Sequence, residues 1–149
     1  MMRTASSVEI AAEPRAVYDL VEDIARWPQL LPHYRFVHVL REEPTERIAV
    51  MAARRGSIPV RWTAAERLFP GVPRIEFTHV AGWTKGMEVA WRFEPVAAGT
   101  RVTIDHELDL RRVPLVGDFL ARRVIGDFFI HAIANATLAR FKQLMERPA

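Results

Sequence analysis

Two stretches late in the chain alternate apolar and polar residues with the period of a β-strand. Met87, Val89, Trp91 and Phe93 alternate with Glu88, Ala90, Arg92 and Glu94, and Val102, Ile104, His106, Leu108 and Leu110 alternate with charged or hydroxyl residues from Arg101 to Arg111. Side chains alternate across a strand, so each run has a dry face and a wet one. The turn Ala97-Ala98-Gly99-Thr100 joins them into a hairpin, and His106 is the polar intruder on its dry face.

The same pattern extends upstream. Val8, Ile10 and Ala12 alternate with Ser7, Glu9 and Ala11. Pro14 then stands where the first turn of a helix tolerates a missing N–H, and Val17, Leu20, Val21 and Ile24 follow at helical spacing. Proline disfavours a helical residue before it, so the helix is expected to end near Trp27-Pro28, with a short second turn through Leu30 and Leu31. Tyr34, Phe36, His38 and Leu40 alternate with Arg35, Val37, Val39 and Arg41. Further strands are expected from Glu46 to Arg54, Ile58 to Phe69 and Arg74 to Val80, separated by Gly56-Ser57 and Pro70-Gly71-Val72-Pro73. Connections this short indicate antiparallel hairpins.

The last element is a long amphipathic helix, expected from about Pro114 to Met145. Its apolar residues include Leu120, Val124, Phe128, Ile130, Ile133, Leu138 and Phe141, a face wide enough to lie across a sheet. Gly126 within it suggests close approach to the sheet or room for a ligand. The expected fold class is α+β: a seven-stranded curved antiparallel sheet wrapped around a long C-terminal helix, with two short helices after the first strand. One domain over residues 1–149 is expected.

Composition narrows the function. Cysteine is absent, so disulfides, thiolate metal sites and a cysteine nucleophile are excluded, and a cytoplasmic location is expected. No signal core or membrane-length apolar run appears. The net charge is +3, but the paired arginines at 54–55, 111–112 and 122–123 are interspersed with acids rather than gathered in one stripe, so no nucleic-acid partner is expected. No phosphate loop, dinucleotide fingerprint or G-x-S-x-G elbow is present, and no cofactor is expected. His38, His79, His106 and His131 fit no zinc spacing, so no metal is expected.

The segments VEIAAEPRAVYDLVEDIARWPQLLPHY, VRWTAAERLF and MEVAWRFEPVAAGTRVTIDHELDL, with the closing helix, resemble the polyketide cyclase/dehydrase family of the START-like, helix-grip (Bet v 1-like) superfamily. That resemblance implies an internal cavity for a hydrophobic small molecule. It places Trp27, Tyr34, Trp62, Met87 and Trp91 near the cavity wall. Bacterial aromatase/cyclases of the family follow the tryptophan of the fourth strand with an inward serine and an inward arginine. This chain has Ala64 and Glu66 there, and Arg67 has the opposite parity, so that only a bulge would turn it inward.

Two residues are candidates for acid/base catalysis. Glu66 is the one charge on the face formed by Ile58, Val60, Trp62, Ala64 and Leu68. It either exchanges protons with a raised pKa or pairs with an inward basic residue. His106 either faces a ligand or is satisfied by a neighbouring side chain. Phe128, His131 and Asn135 are the terminal helix's candidate ligand contacts, the last two alternatively a hydrogen-bonded surface pair. Trp83, in a glycine-bounded loop, is a candidate gate, with Leu115, Val116 and Phe119 on the other rim.

Three functions are consistent with these features. The first is a protein that holds a polyketide-like, aromatic or lipid-like molecule, with cyclase/dehydratase turnover by His106 and Glu66. The second is a non-catalytic carrier or sensor for lipid, quinone or isoprenoid. The third is a module that binds ribosomes or another protein through its basic surface. No membrane insertion is expected, and a monomer or homodimer is.

Overall fold

The computed structural model describes residues 2–109 and 129–147. Strand β1 (Met2–Ile10) leads into helix α1 (Pro14–Val21), a 3-10 turn (Ile24–Arg26) and the short helix α2 (Trp27–Leu30). Six strands follow: β2 (Tyr34–Glu43), β3 (Glu46–Arg55), β4 (Ile58–Phe69), β5 (Arg74–Gly82), β6 (Glu88–Val96) and β7 (Gly99–Leu108). The described part of the terminal helix, α3, spans His131–Met145. The stretch from Pro114 to Phe128, with Gly126, Leu115, Val116 and Phe119, lies outside the described residues.

All neighbouring strands pair antiparallel in the order β1-β7-β6-β5-β4-β3-β2. The first strand therefore closes against the last, leaving β1 and β2 as edges of a curved, open sheet. Ala134, Thr137, Leu138 and Phe141 are the buried face of α3. Its C-terminal end is tied to β1, where Lys142 donates to the Glu9 carbonyl at 2.7 Å and Glu146 accepts from the Ala11 N–H at 2.8 Å. Architecture and topology are those of a helix-grip fold.

At the β6–β7 turn, Gly99 has a φ of +140°, and a Cβ there would collide with the Ile10 carbonyl. Only glycine lets β7 begin so close to the end of β1.

The corner between α1 and α2 departs from the sequence expectation. Trp27-Pro28 does not end the first helix. Helix α1 stops at Val21, and Trp27 and Pro28 open α2, where proline costs no hydrogen bond. The last carbonyls of a helix have no partner within it. Two distant side chains supply them: the Trp27 indole N–H donates to Val21 O at 2.9 Å, and Arg47 donates to Glu22 O at 2.6 Å.

The second departure is in β2, whose pairing with β3 shifts between Tyr34 and Phe36 and again between Val39 and Arg41. A one-residue slip reverses the side chains. Tyr34 is buried, Val37 and Val39 then pack on the core, and Leu40 is 64% exposed. His38 consequently points outward, stacked on Phe36 with ring centroids 4.4 Å apart.

Candidate functional site

The concave face of the sheet and the underside of α3 enclose a cavity. The volume open to the centre of a water molecule is about 90 Å³, within a hollow of about 660 Å³ that includes the mouth. That is room for several waters. Trp62 on β4, Met87 at the start of β6 and Trp91 further along it line the walls, with Phe77, Ile104 and Val60 between them. Ile130, Ile133, Ala134 and Thr137 form the roof, and Trp27 and Tyr34 close the side nearest α2. The Trp27 ring is 5.1 Å from Tyr34, 5.8 Å from Trp91 and 6.0 Å from Phe141, which holds this aromatic wall in fixed orientation.

Two histidines interrupt the apolar lining. His106 is 9% exposed and its Nδ1 has no hydrogen-bond partner. Directly opposite on β1, Thr4 also has a buried hydroxyl without a partner. Burial, reinforced by His131 and opposed by Asp105, lowers the His106 pKa to about 4. His79 is 2.7 Å from the Thr84 hydroxyl through Nδ1 and lies parallel to Trp62, with centroids 5.4 Å apart and planes 2° apart. Burial, with a smaller contribution from His106, lowers its pKa to about 3. Both imidazoles are therefore neutral near pH 7, and unpaired buried polar nitrogens in such surroundings are costly unless something binds them.

Thr137 at the roof donates to Ile133 O at 2.7 Å, so it accepts from His33 Nε2, also at 2.7 Å. Thr84 and Thr137 are polar members of the lining that the sequence reading did not single out. No local pattern marks them, because their partners are a histidine in an adjacent strand and one more than 100 positions away.

Glu66 is corrected. It points to the inner face as its parity requires, but it is not among the residues lining the cavity. It is 1% exposed and its Oε1 accepts from Arg47 at 3.2 Å. Arg47 also contacts Glu22 Oε2 at 3.2 Å and Glu42 Oε2 at 2.9 Å. The inward basic residue of the alternative reading is thus Arg47 on β3, opposite Glu66 in the register. Burial pushes the Glu66 pKa up to about 8 against the opposing pull of Arg47.

Arg67 does not turn inward, since it binds Thr78 and Glu76 on the outer face of the sheet. Ala64 is buried at the position of the aromatase/cyclase serine. On α3, His131 is half-buried and near enough to His106 to lower its pKa, and Asn135 is exposed; neither is part of the lining. A turn of helix separates residues four apart but also rotates them by about 40°, enough to carry Asn135 out to solvent. Phe128 lies outside the described residues. Trp83, 49% exposed and not itself in the lining, packs its ring edge-to-face on the lining residue Phe129 at 5.8 Å.

Comparison with known proteins agrees with this fold. The chain is 33% identical over 108 residues to the granaticin polyketide synthase bifunctional cyclase/dehydratase of Streptomyces violaceoruber, covering 70% of this chain and 33% of that protein. The chain thus spans about a third of the length of that relative. It is 30% identical over 134 residues to the ribosome association toxin RatA of Pseudomonas aeruginosa, covering 87% of this chain and 88% of the relative. The Zhui aromatase/cyclase from Streptomyces sp. R1128 superimposes with a TM-score of 0.85 at 18% identity, over 98% of this chain and 94% of that one. Residues 10–136 match the family described as polyketide cyclase / dehydrase and lipid transport, and the chain belongs to that family.

Proposed function

We propose that the cavity binds a largely apolar, ring-bearing or polyketide-like molecule and that His106 is its polar contact. The observation that carries this reading is the unpartnered Nδ1 of His106, buried in a wall that is mostly aromatic and aliphatic. Apolar clefts with a few convergent polar groups are the usual form of a small-molecule site. Trp62 and Trp91 offer flat surfaces for a ring, while a ligand oxygen or N–H would satisfy the imidazole.

Turnover would follow from the same group. Cyclisation with dehydration removes a proton from a methylene between two carbonyls, forms a carbon–carbon bond to a further carbonyl and expels water. A neutral imidazole at the reacting carbon can accept the first proton and give it to the attacked carbonyl oxygen as that becomes a hydroxyl, then take the second proton of the same carbon and give it to the hydroxyl as water leaves. Glu66, engaged with Arg47, takes no part.

The second reading is a non-catalytic carrier for a lipid, quinone or isoprenoid. The observation favouring it is that no carboxylate, lysine or arginine reaches the lining among the described residues. Native mass spectrometry of the purified protein, followed by His106→Gln, separates the two. The first reading expects an apolar ligand whose affinity falls about tenfold on substitution, with loss of poly-keto turnover. A ligand held equally by the variant removes the role given to His106, and bound ligand with no turnover by the unsubstituted protein leaves the carrier.

A further inference from the structure

We propose that His79 is a second polar anchor of the cavity, and that with His106 it selects an uncharged ring compound carrying an oxygen function on each of two sides. The inference rests on the reading of the cavity as a small-molecule site, and adds to it a residue and a ligand class.

His79 is fixed from several directions. It is 6% exposed, its Nδ1 is 2.7 Å from the Thr84 hydroxyl, and its ring lies flat against Trp62. Its backbone is pinned as well, since its N–H donates to Met87 O at 2.9 Å and its carbonyl accepts from the Gly86 N–H at 2.8 Å. An imidazole held at one nitrogen presents the other. Nε2 forms no hydrogen bond among the described residues, and both His79 and Thr84 line the cavity.

The second nitrogen centre is His106, whose Nδ1 is buried and unpartnered. Val89 pairs with Phe77 on one side and with His106 on the other, and His79 is the next inward residue after Phe77. His79 thus stands two strands across from His106 and one inward step along, which puts their backbones roughly 12 Å apart. Both side chains rise from the concave face, and His106 is close enough to help lower the His79 pKa. One or two fused six-membered rings with an oxygen at each side bridge such a span.

The lining also sets the charge of the ligand. Among the described residues it holds no arginine, lysine or carboxylate, and burial keeps both imidazoles neutral near pH 7. A carboxylate or phosphate drawn into such a wall loses its water and gains no cation. A neutral phenol or quinone loses far less, because imidazole nitrogens replace the water that its oxygens give up. Trp62 and Trp91 supply the flat surface that rings require. A fatty acid is therefore a poor occupant.

The test is calorimetric titration of the full chain at pH 7 with three probes of one shape: naphthalene-2,6-diol, 2-naphthol and 2-naphthoate. The diol is expected to bind about tenfold more tightly than the naphthol, and the naphthoate at least about tenfold more weakly than the naphthol. His79→Phe keeps a ring against Trp62 and should bring the diol down to the naphthol's affinity. Imidazole nitrogen NMR of the unsubstituted protein tests the same contact without a variant, because the diol should shift the signals of both His79 and His106. The inference is overturned by a diol that does not bind or binds no more tightly than the naphthol, by a naphthoate that matches the naphthol, or by His79 signals that the diol leaves unmoved. In each of these cases, naphthol affinity that falls with His106→Gln still upholds His106 as the polar contact, whereas probes indifferent to His106→Gln remove that reading too.

Discussion

Glu66 and His106 stand in one cross-strand row of the inner sheet face, separated by Phe77 on β5 and Val89 on β6. Three strand spacings put them roughly 14 Å apart. Arg47 extends the row beyond Glu66 and Thr4 extends it beyond His106. One end holds a carboxyl group hydrogen-bonded to Arg47 and the other a bare imidazole, with an apolar partition between. They cannot share a proton, so the two behave as independent sites.

Glu66 makes folding pH-dependent with a definite sign. Its folded pKa, about 8, lies above the ordinary 4.5, so between these values the folded protein holds the proton more tightly than the unfolded chain. The stability from this group is full below pH 4.5 and is lost as pH rises to about 8, at up to about 1.4 kcal/mol per pH unit. Glu66→Gln should flatten that decline and give the higher melting temperature at pH 8. Thermal unfolding of both proteins from pH 5 to pH 8.5 checks it.

His106 and His79 act in the opposite direction. Their folded pKa values, about 4 and about 3, lie below the ordinary 6.5. Their contribution is full above pH 6.5 and is lost on acidification as the unfolded chain takes up protons. Imidazole nitrogen NMR should find both rings neutral at pH 5.5. His106→Gln should reduce the loss of stability between pH 6.5 and pH 4.

Trp27→Phe removes the indole N–H that serves the last turn of α1 while keeping an aromatic ring among Tyr34, Phe77 and Trp91. A cost of about 1–3 kcal/mol is expected from the orphaned carbonyl and reduced volume. Trp27→Ala should cost about 3–5 kcal/mol. Denaturant unfolding of the pair separates the hydrogen bond from the bulk.

Ala134→Phe tests occupancy of the cavity from the roof. Ala134 is buried on α3 and lines the hollow without touching the histidine pair through any hydrogen bond. The larger ring fills ligand space, so affinity for an apolar probe such as an anilinonaphthalene dye should fall at least about tenfold. Stability should change by no more than about 1–3 kcal/mol. Dye titration and thermal unfolding report the two effects separately.

The sheet was legible where alternation is unbroken. β4, β6 and β7 follow their parity from Trp62 to Leu68, Val89 to Phe93 and Val102 to Leu108, and His106 points inward as the pattern requires. β2 was not, because two register shifts reverse its faces and no residue type in YRFVHVLREE announces them. Arg47 escaped notice because an arginine at the start of a strand reads as solvated. Its burial follows from Glu22 and Glu66 arriving from elsewhere in the chain. The end of α1 was misplaced for a related reason: Trp27-Pro28 marks a helix boundary, but which side of it is helical depends on the long reach of the indole.

Trp27 joins two tasks in one side chain, since its ring is part of the cavity wall and its N–H closes the end of α1. Whatever fills the cavity presses on the residue that fastens this corner. Filling the cavity would thereby act on local order, and the exchange rate of a single indole proton would gauge whether the cavity is occupied.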